Sequence, residues 1–280
     1  MDSLNVLGFI SGGDEKIGYC QQALALARSL GDVMRQTVAL TYLGWNHRDL
    51  KHALAYWEEE IPLYRQIGNR VALAGCLSRL GHFLVLEGKF ETAQTYLDEA
   101  NLLYQQLHTK TGLFFLTTAY GQIALLRGDY EQARFYFQQN ARIGKELGNR
   151  MDYLWANLRL GGVELREGNL TEAHRIFVES AKEFQKDRFI EGVVFSLECM
   201  ATLFIAVGKT ENAARLIGWV DTTRESISSM RPFLEQASVD RDCAAIVTAM
   251  GKAEFENAYK IGCAFTINEA VAYALQETRK

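Results

Sequence analysis

Proline is nearly missing: Pro62 and Pro232 are the only two in 280 residues. With so few fixed interruptions and a composition rich in helix formers, the chain is predicted to be almost wholly helical. An excess of one charge is missing too. The net charge is -4, the pI is near 5.8 and no Lys/Arg block is present, so neither a global nor a local field draws nucleic acid. No apolar run approaches the roughly 18 residues of a spanning helix. Residues 1–14 lack the basic start of a secretory signal. The expectation is a soluble, cytoplasmic chain with no membrane partner.

The signatures of chemistry are also scarce. Five cysteines, at 20, 76, 199, 243 and 263, form no CxxC pair and read as structural thiols of a reducing compartment. Five histidines, at 47, 52, 82, 108 and 174, form no HExxH and no ligand spacing with cysteine, so no metal is expected. There is no GxSxG. The run Ser11-Gly12-Gly13-Asp14-Glu15-Lys16 lacks the spacing of a phosphate loop, puts acids where phosphates would lie, and reads as a turn. The carboxylates Glu58-Glu59-Glu60 and Glu164/Glu167 read as solvated helix faces. No catalytic residue and no cofactor is expected.

What the chain does have is a period of forty. Gly81 recurs as Gly121 and Gly161; Gly88 as Gly128, Gly168 and Gly208; Ala93 as Ala133, Ala173 and Ala213. Four residues beyond each alanine comes a bulky side chain, Leu97, Phe137, Phe177 or Ile217. Small and large residues at fixed phases mark stacked units rather than one globular core. Each glycine at 81, 121 or 161 is expected to oppose the alanine at 93, 133 or 173, letting two helices approach closely while the bulky residues lock into the neighbour.

The fold class predicted is therefore all-α: an alpha-alpha superhelix, a right-handed solenoid, with a C-terminal helical cap. Residues 1–32 read as a degenerate or truncated repeat, as if cut from a longer protein. Leu7-Gly8 echoes the repeat, Gly12-Gly13-Asp14 makes a turn, and a helix covers 19–30. Five helix pairs follow over 33–226, at 33–68, 70–107, 111–148, 150–187 and 190–226. In the first pair Ala53 follows Gly44 by nine residues where Ala93 follows Gly81 by twelve, so nearly one turn is missing. Pro62 predicts a kink or break at 57–61. Asp129 and Asn169 read as helix caps, each with Gln132 or Glu172 three residues on, and the fifth pair has Ala201 in place of the glycine. Residues 227–280 leave the period and form the cap, with a helix N-cap at Thr266 and Glu269 and a core of Trp219, Met230, Phe233 and Phe255.

The pattern Leu80-Gly81, Gly88, Ala93, Leu97, Ala100 resembles the tetratricopeptide (TPR) repeat, lengthened toward forty residues. Over 213–219 and 255–275, the runs Ala213-Ala214-Arg215-Leu216-Ile217-Gly218-Trp219, Phe255-Glu256-Asn257-Ala258-Tyr259 and Thr266-Ile267-Asn268-Glu269-Ala270 are similar to the end of the repeat region in bacterial signal-transduction ATPases and ATP-dependent LuxR-type transcriptional regulators. The resemblance implies a sensor or partner-binding arm beside a nucleotide-binding switch domain. The chain has neither GxxxxGK[ST] nor a helix-turn-helix, so the resemblance carries over no ATPase or DNA-binding residues.

In that repeat geometry the first helix of each pair lines the concave surface. This places Trp45, Arg48, His82, Phe115, Gln122, Trp155, Leu158, Phe195 and Glu198 as candidate groove residues, with Gly75 and Gly162 leaving room beside them. Phe115, Trp155 and Phe195 share one phase in three successive units. Such a ladder either packs first helices together or anchors a peptide. The functional expectation is a non-enzymatic module binding a protein segment, a peptide or another domain of a parent protein in the groove. The alternative is a small-molecule effector on the same surface. A truncated N-terminal repeat leaves dimerisation open.

Overall fold

The computed structural model describes residues 13–47, 49–110, 112–229 and 231–276. Among them the chain is all-α, with fourteen helices and no strand. In order these are α1 (Gly13–Ser29), α2 (Val33–Asn46), α3 (Leu50–Gln66), α4 (Arg70–Leu86), α5 (Phe90–Leu107), α6 (Leu113–Leu126) and α7 (Tyr130–Glu146). Then come α8 (Arg150–Glu167), α9 (Leu170–Lys186), α10 (Ile190–Ala206), α11 (Thr210–Ser226), α12 (Phe233–Met250), α13 (Lys252–Cys263) and α14 (Ile267–Gln276). None is long and apolar enough to cross a membrane. Gly13 and Asp14 begin α1 rather than forming a turn, and Leu7-Gly8 lies outside the described residues.

Bends follow the same period as the helices. Inside pairs, Gly88, Gly128, Gly168 and Gly208 turn left-handed at φ +72°, +77°, +84° and +76°, ending one helix so the next can return. Between pairs the left-handed residue is Gly68, His108, Gly148, Arg188 or Ser228, again forty apart. Asp129 caps α7 by accepting from the Gln132 amide at 3.0 Å. Asn169 makes no side-chain cap bond to α9; its side-chain NH2 donates to Glu164 at 2.8 Å, and this charge-assisted bond fixes the side chain. The cap at α14 forms as expected, the Thr266 amide donating to Glu269 at 2.7 Å.

The chain divides into two compact units, Met1–Ala119 and Tyr120–Lys280. In both, the repeat glycine meets chiefly the bulky residue four beyond the alanine. A Cβ on Gly81 would lie 2.6 Å from Leu97, and 3.3 Å from the Ala93 carbonyl. In the second unit the same slot on Gly121 would meet Phe137 at 2.5 Å and that on Gly161 would meet Phe177 at 2.7 Å. Each glycine is thus a slot, and the ring or isobutyl group of the returning helix plugs it. The alanines 93, 133, 173 and 213 are fully buried beside these plugs.

The shortened first pair keeps this device. α2 ends two residues after Gly44, whereas α4 ends five after Gly81. Trp57 nonetheless fills the slot, 2.0 Å from where a Gly44 Cβ would be. Pro62 does not break α3, which runs unbroken from Leu50 to Gln66. Trp57, Glu60 and Ile61 are buried just before the proline, and the Trp57 carbonyl accepts the Cys76 thiol at 3.2 Å. These side contacts hold the turn that the missing amide would otherwise loosen.

In the second unit α12, α13 and α14 follow the last pair. Trp219 is buried and Phe255 half-buried among them. Phe233, expected in this core, is 62% exposed at the first position of α12; Met230 lies outside the described residues. α11 and α13 cross through two glycines. A Cβ on Gly262 would stand 1.8 Å from the Arg215 carbonyl oxygen, and one on Gly218 2.2 Å from that of Tyr259.

Candidate functional site

In the first unit an aromatic cluster forms where α2, α3, α4 and α6 bring their rings together. Trp45 lies 5.1 Å from Trp57, 6.0 Å from Phe83 and 5.8 Å from Phe115 between ring centroids. His82, which meets Phe83 edge-on and Phe115 at a tilt, is buried, so it supports the cluster rather than facing a groove. Trp45 remains 47% exposed. Its ring is thus fixed by three others while one face meets solvent. Along α2, Met34 and Val38 continue the same stripe toward the helix start, both exposed, and Val71 stands exposed at the corresponding place on α4. Arg48 lies outside the described residues.

Beneath the rings is a buried ion pair. Arg79 Nη2 donates to both Glu60 carboxylate oxygens, at 3.1 and 2.9 Å. Glu60 is fully buried, which corrects its reading as part of a solvated acidic face: it takes the core-facing position of α3, while Glu58 is exposed. Burial pushes its carboxyl above the usual range, partly opposed by the Arg79 guanidinium. The Arg79 guanidinium also lies over Trp57 at 4.7 Å and Trp45 at 5.5 Å, giving the rings a cationic floor.

In the second unit Trp155 and Phe195 touch edge to face, with centroids 5.5 Å apart. Trp155 also meets Phe184 and Phe189, and both Trp155 and Phe195 pack against the large core of this unit. These contacts show the pair packing helices together. Leu158 is fully buried and presents nothing to a groove, because it points into the core between α8 and its neighbours. Gln122 accepts from Arg159 Nη1 at 3.2 Å, and the Arg159 guanidinium covers the Phe195 ring at 4.9 Å. Glu198 is committed to two arginines, accepting from Arg224 Nε at 3.1 Å and Arg231 Nε at 2.8 Å. Beside it, burial pushes the Cys199 thiol up to about 12, so it stays protonated near neutral pH.

Several of these residues escaped the sequence reading. Arg79 and Arg159 stand two periods apart, a recurrence that the small-residue pattern masked. Trp57 holds the bulky-plug position, displaced by the three-residue deletion. His47 and His52 stack at 4.6 Å, yet His52 is drawn to Asp49 at 2.5 Å, and no group of three ligating side chains able to hold a metal occurs among the described residues.

Gly162 lies on the same first-helix face, and a Cβ there would meet nothing within 4 Å. Gly162→Ala should therefore raise stability by about 0.5–1 kcal/mol through helix propensity alone. Urea denaturation checks it; a loss of stability would mean that the face is closed over this position. On another face of α8, a cavity of ≈ 410 Å³ is lined by Tyr153, Leu154 and Asn157 with arginines and glutamates of α7 and α9. Its cations are matched in place, Arg134 by Glu164 and Glu167, Arg150 by Asp187 and Glu183.

Compared with protein-family models and with curated proteins, the chain matches none. Within each of its two units, helices pack on their neighbours in a repeat-like order that is compatible with a TPR-like solenoid.

Proposed function

We propose that the chain is a non-enzymatic binding module of the TPR type that takes a peptide or protein segment on the first-helix face, as the regulatory arm of a larger signal-transduction ATPase or transcriptional regulator. The observation that carries the reading is Trp45. A large ring held from three sides by other rings and left half exposed is a costly way to cover a core but an efficient anchor for a partner's side chain. Met34, Val38 and Val71 extend it into an exposed apolar stripe, the kind of patch that marks contact surfaces.

A random-peptide phage library panned against the full chain tests this. The chain should enrich a consensus with an apolar or aromatic anchor, and Trp45→Ala should abolish that enrichment while the fold persists by circular dichroism. Enrichment of no consensus by the native chain, or the same consensus by Trp45→Ala, would overturn the reading. The small-molecule alternative asks for an enclosed pocket around Trp155. That ring is packed against Phe184 and Phe195, and the cavity near α8 opens on another side. These contacts favour a chain over a metabolite as ligand.

A further inference from the structure

In the second unit helix α12 packs mainly on α11 and α13, and one edge of it reaches α10. Its Asp242 accepts from Thr202 Oγ1 of α10 at 2.8 Å. Glu235, in the first turn of the helix, approaches Arg224 at 4.0 Å and lies within electrostatic reach of Arg159 of α8, while Asp242 lies within reach of Arg166 of α8. The segment leading into α12 is tied down by Arg231, which grips both Glu198 and Asp221. Glu198 is one of the candidate groove residues, and Thr202 follows it by four residues on the same face of α10. The surface assigned to a ligand in this unit thus already has a helix on it.

The manner of attachment differs from the rest of the fold. Glu235, Val239, Asp242 and Ile246 fall three or four residues apart, one stripe of a helix. Only Val239 and Ile246 of α12 are buried, whereas α10 buries nine residues. Cys243 and Met250 add partly buried contacts with the same core, and the rest of the hold is polar, Glu235 against Arg224 and Asp242 against Thr202. Pro232 precedes α12 and Gly251, at φ +89°, follows it, so neither end continues into a neighbouring helix. An element with little apolar burial and independent ends opens at lower cost than the core.

We propose that the face made by α10 and α11 is a docking site for an acidic amphipathic helix, that α12 is its built-in occupant, and that a partner helix with carboxylates two turns apart flanking an apolar stripe binds there by displacing it. The charges set the class of partner: Arg224, with Arg159 and Arg166 nearby, stands on the receiving side against the acid Glu198, and this balance suits carboxylates on the entering helix. This rests on the binding-module reading and names the occupant of one part of that module.

The test uses a fluorescent peptide of residues 233–250 titrated into the full native chain and into a full chain carrying Glu235→Lys and Asp242→Lys. In the doubly substituted chain, hydrogen exchange across 233–250 should quicken while 13–110 keeps its protection. The peptide should bind it at least about tenfold more tightly than it binds the native chain, whose site is filled for most of the time. A peptide carrying the same two lysines should bind neither. Unchanged protection of 233–250, or equal or absent peptide binding in both chains, would overturn the proposal. Should the doubly substituted chain lose protection over 150–226 as well, Thr202→Val replaces it; a smaller shift in the same direction supports the proposal and no shift sinks it. Trp45-dependent peptide selection is read in the other unit, so its success alongside failure here removes only the α12 seat, and the reverse removes only the Trp45 anchor.

Discussion

Gly262→Ala is expected to cost about 3 kcal/mol or more, the upper range for overpacking, and to do so by one methyl group. The added carbon would stand 1.8 Å from the Arg215 carbonyl oxygen, and both partners at this crossing are backbone, so no side chain can rotate away. α13 must lift from α11, exposing Ala258 and Trp219, which are now buried. Urea denaturation reads the loss as a lower midpoint, and hydrogen exchange should show it concentrated over 210–276. A variant within 0.5 kcal/mol of the native chain, about the effect of a surface substitution, would mean that the two helices are not this close. Gly162→Ala, with open space at its Cβ, is the internal contrast: one methyl, opposite sign.

The second large effect is at Glu60 and Arg79. Glu60→Gln leaves a guanidinium that cannot lose its charge enclosed by rings, and Arg79→Met leaves a carboxylate with no cation. Each single change is expected to cost about 3–5 kcal/mol, whereas replacing both together by Leu and Met should be close to neutral, since the pair's own attraction is largely offset by the desolvation of its members. A double-mutant cycle measures this coupling directly. Additive losses would show that water reaches the pair and that the aromatic cluster above it is looser than the ring contacts indicate. Because Arg79 also underlies Trp45, Arg79→Met should weaken the Trp45-dependent peptide selection more than Glu60→Gln does.

Much of the architecture was legible because its determinants are local or periodic. The glycines at 88, 128, 168 and 208 mark bends by their backbone freedom, and the alanines at 93, 133, 173 and 213 mark buried crossings by their size. What the period did not disclose was which partner each small residue meets. Gly81 takes Leu97 rather than Ala93 alone, because helices lean as they cross, and lean is a property of two elements together. His108, Arg188 and Ser228 were silent for a different reason: each holds a left-handed bend at a strain of about 1–2 kcal/mol that neighbouring packing overrides. At the candidate site, Trp155 and Phe195, which share a phase, touch edge to face, whereas His82 and Leu158, expected on an open face, are buried. A face predicted from one helix does not know how deeply the next will cover it. Glu60 shows the limit most clearly, since an acid in a run of three acids takes its character from Arg79, nineteen residues away.

The early end of α2 carries a consequence for how such chains diversify. Three residues are gone, yet Trp57 still reaches Gly44, so what couples two helices is a single plug in a single slot and not their matched length. Insertions and deletions at the tip of a hairpin therefore pass without rewriting its interior. A lineage of such proteins can lengthen or trim its rims, and so alter what those rims greet, while every hairpin goes on closing by the same one fit.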